Sequence, residues 1–190
     1  MGTTQYVALL RAVNVGGRIV KMAELKAIFQ KLGFADVSTF IASGNVIFSA
    51  SGATSRLETT IEGGLERALG FAVPTMVRAT HEVVRCASFE AFSAQAFTGA
   101  SLYVGFLKRE AAPPAITAMQ SLQTEIDELR LHGREVYWLA RKNIAESSIT
   151  GAAVEKALQT PVTFRNINTV RRLAVKYPAG ARDGHGRGLK

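Results

Sequence analysis

The sequence predicts an α+β protein made of two ferredoxin-like units in tandem, followed by a C-terminal helix. The order strand, helix, strand, tight turn, strand, helix, strand occurs at residues 5–78 and again at residues 101–165. This βαββαβ order is that of the split βαβ plait. Both units also close in the same way, with a helix, a proline, three residues and then an arginine. We therefore expect two four-stranded antiparallel sheets, each with two helices on one face.

The elements of the first unit follow from the spacing of its apolar residues. Apolar side chains recur at helical spacing from Met22 to Leu32, and Gly33 suits the left-handed backbone that ends a helix. Gly63 and Gly64 weaken the second helix by roughly 1 kcal/mol each relative to alanine. The predicted elements are strand 5–11, helix 22–32, strands 37–43 and 45–50, helix 57–69 and strand 74–78.

The second unit has the same order with different turn residues. Pro113 and Pro114 stand where its first helix begins, because proline suits the first helical turn. The predicted elements are strand 101–107, a helix from 113, strands 126–131 and 135–140, helix 147–158 and strand 161–165. The resulting domain boundaries are a first unit at 1–79, a helical connector at 80–99, a second unit at 100–166, a C-terminal helix at 167–179 and a flexible tail at 180–190.

The predicted strands are apolar on both faces, which an isolated plait would not need. In the first strand Val7 and Leu9 alternate with Tyr6, Ala8 and Leu10. A sheet with one face in water would instead alternate apolar and polar residues. We expect the open faces to be covered by the other unit, by the C-terminal helix or by a second copy of the chain.

Positive charge is concentrated at the C-terminus. The formal net charge is +8, and residues 165–190 contain seven basic residues and one acidic residue, which leaves only +2 for the rest of the chain. Such a segment attracts polyanions such as RNA, DNA and anionic membrane surfaces. The alternative is that it is an ordinary solvated helix and tail. No apolar run is long enough to span a bilayer, and a single cysteine excludes an internal disulfide.

Two polar segments are candidates for an anion-binding site. Asn14-Val15-Gly16-Gly17 lies between a strand and a helix, where backbone N–H groups can converge on a phosphate. It contains neither the dinucleotide motif nor the P-loop motif. The alternative is a tight turn that requires the glycine pair.

A further polar segment, Ser43-Gly44-Asn45, is first of all a hairpin turn, and no nucleophile motif surrounds Ser43.

Arg165-Asn166-Ile167-Asn168-Thr169 is the other polar segment, directly after the second closing strand. Arg165 would offer its guanidinium group to an anion, or Asn166 or Asn168 would simply cap the following helix. Arg11 could join this site or pair with Glu24. The candidate ligand contacts are Arg11, Asn14, Gly16, Gly17, Asn45, Arg165, Asn166 and Thr169. If they serve one ligand, the two segments must be neighbours in space.

Other titratable residues have no pattern that indicates chemistry. His81, His132 and His185 lack metal-ligand spacing, so we expect no metal and no cofactor. Cys86 is expected to be a small buried apolar residue. The acidic group at 125–128 is expected to be solvated. The strand at 45–49 lacks the aromatic motif of an RNA-recognition module.

The sequence resembles the bacterial domain of unknown function 1697 family. The residues that carry this resemblance are Arg11–Gly17, Ser43–Asn45 and Thr163–Val170. The family pattern usually has glycine where Ala12 stands, tyrosine where Phe40 stands and often tryptophan where Ile167 stands. The resemblance implies two ferredoxin-like subdomains and a bacterial cytosolic protein, and it implies no established activity.

Three functional hypotheses remain at this stage. The leading one is a binding protein for an anionic ligand, either a phosphate-bearing small molecule or nucleic acid. The second is an enzyme that acts on such a ligand, with backbone amides and arginine stabilising charge. The third is a structural or homo-oligomeric protein in which the polar residues only brace turns.

Overall fold

The computed structural model describes residues 3–14, 17, 19–41, 44–93 and 99–179, and these residues form two four-stranded antiparallel sheets. The first sheet has the strand order β2-β3-β1-β4, and the second has the equivalent order β6-β7-β5-β8. The prediction of two antiparallel sheets with helices and a C-terminal helix is confirmed. The elements are β1 Thr4–Leu10, α1 Met22–Lys31, β2 Ala35–Phe40, β3 Asn45–Ala50, α2 Thr54–Leu69, β4 Thr75–Ala79, α3 Thr80–Ser88, β5 Ser101–Leu107, α4 Pro113–Gln120, β6 Asp127–His132, β7 Glu135–Ala140, α5 Gly151–Leu158, β8 Val162–Asn166 and α6 Ile167–Lys176.

Most element boundaries agree with the sequence pattern, and the exceptions have local causes. Gly33 follows α1 with φ +85°, as expected of a residue just beyond a helix end. α5 begins at Gly151 instead of 147, because the Ser147 hydroxyl accepts a hydrogen bond from the Ile149 N–H and donates one to Asp127. These two bonds hold residues 147–149 in an extended turn. The Thr150 hydroxyl then caps the helix at the Ala153 N–H.

Three apolar layers lie side by side through the molecule. The first lies between the β1–β4 sheet and helices α1 and α2, with Phe29, Phe48 and Leu65 fully buried. The third lies between the β5–β8 sheet and helices α4 and α5, around Trp138. The middle layer joins the second faces of both sheets to α3 and α6. Because both faces of each sheet are buried, the central strands have apolar side chains on both faces.

The middle layer is where the two halves meet. From the first sheet it takes Val7, Leu9 and Ile47, and from the second sheet Val104 and Phe106. Helices α3 and α6, which follow the closing strands β4 and β8, pack against each other in this layer. The open faces are thus covered by the other half and by the C-terminal helix, two of the alternatives that the apolar strands left open.

The outer edge of β4 is covered by glutamate side chains. The N–H groups of Thr75, Val77 and Ala79 donate to carboxylates at 2.8–2.9 Å. Their acceptors are Glu62, Glu58 and Glu82, respectively. Because unpaired edge N–H groups invite the addition of a further strand, these carboxylates close the edge of the first sheet. Burial raises the pKa of Glu58, which is the most enclosed of the three.

Asp127 corrects the expectation that the acidic group at 125–128 is solvated. The side chain is 1% exposed, and it accepts hydrogen bonds from Trp138 Nε1 and Ser147 Oγ, both at 2.7 Å. The buried indole N–H needs an acceptor, and Asp127 supplies it from the neighbouring strand, two residues before Leu129, the register partner of Trp138. Cys86 is buried, as expected.

Within the described ranges, no helix combines the length and the apolar character that a bilayer span requires. The expected flexible tail at 180–190 lies outside the described residues.

Gly63 and Gly64 are adjacent in α2, and we expect substitution by alanine to affect the free energy of unfolding differently at the two positions. Gly63→Ala should raise the free energy of unfolding by about 1 kcal/mol, because alanine favours helix and only the flexible Arg67 end lies near the new methyl group, at 3.3 Å. Gly64→Ala should not raise it, because its methyl carbon would lie 2.6 Å from the Leu32 side chain. Urea unfolding of both variants tests this, and equal stabilisation would contradict it.

The buried carboxyl group of Glu58 predicts a pH dependence. Because burial raises its pKa in the folded protein above the ordinary value of 4.5, the folded state holds the proton more tightly. The free energy of unfolding should therefore fall as pH rises from 4.5 toward neutrality. Glu58→Gln should remove that slope, and Glu66→Gln on the same helix controls for the lost charge. Parallel pH profiles for Glu58→Gln and the parent protein would refute the assignment.

Candidate functional site

Arg165 lies where the two sheets meet, and the fold uses its whole guanidinium group. The residue is 8% exposed. All five guanidinium N–H groups have an oxygen acceptor, and none of these acceptors is a carboxylate. The acceptors are Asn45 Oδ1 at 2.8 Å, Thr163 Oγ1 and the Phe164 carbonyl at 2.9 Å, and the carbonyls of Leu10 and Gly44 at 2.9 and 3.3 Å. Burial lowers the pKa of Arg165 to about 10, so the group stays charged at neutral pH.

Arg78 makes the equivalent contacts in the opposite direction. It closes the first sheet, as Arg165 closes the second, and its side chain is buried. Its Nε donates to Glu135 Oε1 at 2.7 Å, and its Nη2 donates to the carbonyls of Leu107 and Arg134 at 2.8 and 3.1 Å. Each closing-strand arginine therefore binds the end of the other half's first strand and its hairpin turn.

Two further ion pairs link the halves in the same reciprocal way. Arg11, directly after β1, donates to Glu155 of α5 at 2.6 Å. Lys108, directly after β5, donates to Glu62 of α2. Arg11 and Lys108 are partly exposed, so these pairs contribute less than the buried arginines. Pairing with Glu24 is one of two alternatives that the sequence leaves open for Arg11; the structure instead shows Arg11 paired with Glu155, because the end of β1 faces α5 of the other half.

Arg165 lies beside the end of β1 and the turn between β2 and β3. Gly44, whose carbonyl Arg165 binds, packs against Val13 so closely that an added Cβ would lie 2.7 Å from Val13 Cγ1. Gly44 has φ +70°, which also favours glycine. The end of β1, the β2–β3 turn and Arg165 thus form one packed junction.

The remaining candidate contacts have local roles in the fold. The Asn14 side chain accepts a hydrogen bond from the Val20 N–H at 2.7 Å, which braces the segment before α1. Gly17 has φ +81°, a left-handed backbone that the tight-turn interpretation requires. Gly16 lies outside the described residues. Asn45 is buried, and its Nδ2 donates to the Phe40 carbonyl.

Asn166 and Thr169 lie apart from that junction, at the start of α6. Asn166 Oδ1 accepts a hydrogen bond from the Asn168 N–H at 2.9 Å, so Asn166 caps the helix. Thr169 is half-buried. Asn166, Asn168 and Arg171 line a cavity of about 580 Å³ together with the end of α3 and the start of β5.

A larger cavity, which the sequence analysis missed, lies between α3 and the β6–β7 hairpin. We name this cavity of about 630 Å³ the α3 cleft. Its side chains come from residues distant in sequence, so no local motif marks it. The lining residues used below are Glu82, Arg85, Cys86, Phe89, Glu90, Glu110, His132, Arg134, Glu135 and Tyr137.

Two buried groups at the base of the α3 cleft are hydrogen-bonded to each other. The Tyr137 hydroxyl contacts the Cys86 thiol, and both residues are almost fully buried. Burial raises the pKa of the Cys86 thiol to about 12 and also raises the pKa of Tyr137. A neutral thiol is a poor nucleophile, so this cysteine does not provide thiolate chemistry at neutral pH. Among the described residues no group of three potential ligands could hold a metal ion.

The contacts of Arg165 predict a large loss of stability when it is removed. Arg165→Ala should lower the free energy of unfolding by about 3 kcal/mol or more, because it leaves several buried acceptors without donors. Arg171→Ala, an exposed change on the next helix, should alter it by less than about 0.5 kcal/mol. Chemical denaturation of both variants measures this. An Arg165→Ala protein as stable as the parent would show that these hydrogen bonds do not hold the fold.

Comparison with known proteins places this fold in a family. Residues 3–137, more than half of the chain, match the family described as "Protein of unknown function (DUF1697)". A solved structure described as conserved bacterial protein SP0830 from Streptococcus pneumoniae is similar, with a TM-score of 0.71 and 22% sequence identity over 93% of this chain and 99% of that one. At that identity the likeness shows a shared fold. No curated protein matches. The chain therefore belongs to the DUF1697 family of proteins of unknown function.

Proposed function

We propose that this protein binds a polyanion, with nucleic acid as the favoured ligand, through the exposed face of α6 and the basic segment that follows it. The observation that carries the proposal is the charge of α6 (Ile167–Lys176). The helix has three cations, Arg171, Arg172 and Lys176, and no acidic residue. All three cations are exposed.

These cations differ from the basic residues that serve the fold. Within the described part of the chain, no carboxylate lies within ion-pair distance of Arg171, Arg172 or Lys176, whereas the basic residues at the junction, such as Arg78 and Lys108, have carboxylate partners. A cation without an intramolecular partner remains available to a phosphate. This contrast favours the face of α6 over Arg165, whose donors are used internally.

Aromatic contacts hold two of the cations in place. The Arg172 guanidinium lies 5.4 Å from the centre of the Phe40 ring, and Lys176 Nζ lies 5.6 Å from the same ring. Lys176 also lies 5.6 Å from the Tyr177 ring, and the Tyr177 hydroxyl is hydrogen-bonded to Ser38. Cations that are already ordered lose less conformational entropy on binding.

The spacing of the cations favours an extended ligand. Residues 171–176 span about 7.5 Å along the helix axis, which is more than one phosphate group covers. Without Arg165, residues 166–190 still carry a formal charge of +5. Asn166 and Thr169, at the start of α6, remain candidate contacts on this proposal, and Arg11, Asn14, Gly17 and Asn45 are assigned to bracing the fold.

The competing candidate is a purely structural role for all these polar residues. Complete pairing of Arg165 and the capping role of Asn166 support that alternative for the junction. An enzymatic role on the same ligand would use the same surface. The exposed cations of α6 have no carboxylate partner in the described part of the chain, and they therefore distinguish the binding proposal from the structural one.

We also infer that the two halves are copies of one ancestral unit and that the protein acts in the cytoplasm. The reciprocal contacts of the closing-strand arginines support the duplication, because an isologous interface has that pattern. Between residues 74 and 88, five residues recur identically 87 positions later: Pro74 and Pro161, Arg78 and Arg165, Val83 and Val170, Arg85 and Arg172, and Ala87 and Ala174. The single unpaired cysteine suits a reducing compartment.

A triple substitution on α6 tests the binding proposal. In the Arg171→Gln, Arg172→Gln, Lys176→Gln variant, affinity for a fluorescein-labelled single-stranded oligodeoxythymidylate should fall steeply. The slope of log affinity against log salt concentration should become shallower by about 2, since each phosphate contact contributes about 0.7. Fluorescence anisotropy across a salt series measures both quantities.

The matched control removes three exposed cations elsewhere. Lys26→Gln, Lys31→Gln, Arg67→Gln lowers the net charge equally on α1 and α2 and should retain most of the affinity. Equal losses in both variants would indicate a nonspecific charge effect and overturn the assignment to α6. Competition by inorganic phosphate at concentrations near the dissociation constant of the oligonucleotide would identify a small phosphate ligand instead.

A further inference from the structure

The α3 cleft contains polar side chains that the equivalent place in the other half does not have. Residues of the two halves are treated as equivalent when they occupy the same register position in their sheets. Leu9 of β1 pairs with Asn45, and Phe106 of β5 pairs with Glu135 in the same position of the second sheet. Asn45 in turn pairs with Phe40, and Glu135 pairs with His132. Helices α3 and α6 each begin directly after the closing strand, which aligns Cys86 with Leu173.

Five of the aligned cleft residues are more polar than their counterparts, whereas Arg85 aligns with Arg172 and Phe89 aligns with Lys176. The five pairs are Glu82 and Thr169, Cys86 and Leu173, His132 and Phe40, Glu135 and Asn45, and Tyr137 and Ile47. Where α6 packs on the first sheet, Leu173, Ile47 and Phe40 fill the middle layer without titratable groups. The packing there therefore does not require the histidine, the cysteine or the tyrosine that occupy the equivalent positions. The two glutamates also serve the fold, since Glu82 accepts a hydrogen bond from the Ala79 N–H and Glu135 pairs with Arg78.

One wall of the α3 cleft is aromatic. The His132 ring stacks on Phe89 with ring centres 4.1 Å apart and planes inclined by 22°. Phe89 also lies 5.0 Å from the Tyr137 ring. At the equivalent place in the first half, Arg172 and Lys176 cover the Phe40 ring, so no such surface is open there. A flat group could stack on the wall of the α3 cleft.

The charges of the cleft are mainly negative. Four glutamates and two arginines line it, and with Arg78, the partner of Glu135, the formal charge is −1 when His132 is neutral. Glu82 and Arg134 pair with each other, and Glu135 pairs with Arg78. Glu90 and Glu110 are exposed and have no cationic partner among the described residues. Arg85 is the opposing charge at the rim, and it likewise has no acidic partner in the described part of the chain.

We propose that the α3 cleft binds a small cationic ligand that carries a flat group, such as an amidinium or an aromatic amine. The flat group stacks on the wall formed by His132 and Phe89, and the cation lies against Glu90 and Glu110. This site requires a ligand of the opposite charge to the one proposed for α6, although Phe89 and Glu90 also line the neighbouring cavity that contains Arg171. Because the ligands differ in charge, binding of a cation and binding of an oligonucleotide test the two proposals separately.

Benzamidine and benzoate are the probes, because they share a shape and differ in the sign of their charge. Benzamidine should bind the full-length protein and shift the imidazole resonances of His132 while leaving those of His81 in place. Benzoate should produce no such shift. Heteronuclear NMR titration measures both. Absence of a His132 shift at saturating benzamidine, or an equal shift with benzoate, would overturn the proposal.

A pair of double variants tests the charges. Glu90→Gln, Glu110→Gln should weaken benzamidine binding about tenfold, since two exposed charge contacts are lost. Glu125→Gln, Glu146→Gln removes two exposed glutamates outside the cleft and should leave the affinity unchanged. All four positions are exposed, so thermal midpoints should match the parent protein and confirm folding. Equal weakening in both double variants would show that net charge, rather than the cleft, controls binding.

Discussion

Two buried guanidinium groups hold this molecule together, and each belongs to one half while serving the other. Arg78 and Arg165 end their closing strands and donate across the junction to carbonyls at the end of the opposite first strand. A buried charge is costly unless its hydrogen bonds are complete. Arg165 meets that requirement with five neutral oxygens and Arg78 with a carboxylate and carbonyls. The cost of leaving either group unpaired makes the two halves cooperative.

The same junction explains why residues that suggest a ligand site contribute to the fold instead. An arginine next to asparagine and glycine is typical of anion binding, because all three offer hydrogen-bond donors. Here Asn45 and Gly44 provide oxygens to Arg165, and the donors are consumed. Three exposed cations without a carboxylate partner among the described residues lie on the next helix, at Arg171, Arg172 and Lys176. Availability of a donor, rather than its presence in a motif, decides where a ligand can bind.

The two halves differ most where they have the least structural reason to differ. Within the middle layer, Leu173 is equivalent to Cys86, and Ile47 is equivalent to Tyr137. Where α6 packs on the first sheet, the residues are apolar and cations lie over Phe40, which gives a basic outer face. Where α3 packs on the second sheet, the residues are more polar and leave a cleft with an aromatic wall at His132 and Phe89. One architecture thus presents two surfaces of opposite charge.

The sequence by itself determined the order of elements, the two antiparallel sheets and the burial of both sheet faces. These follow from local periodicity and turn chemistry, such as the apolar residues on both faces of β1 and the glycine that follows α1. Only the tertiary structure decided the partners of Arg11, Arg165 and Asp127. Their partners lie 144, 155 and 20 positions away in sequence, at Glu155, Leu10 and Ser147. The α3 cleft escaped prediction for the same reason, because residues 82–90 meet residues 132–137 only after the two halves pack.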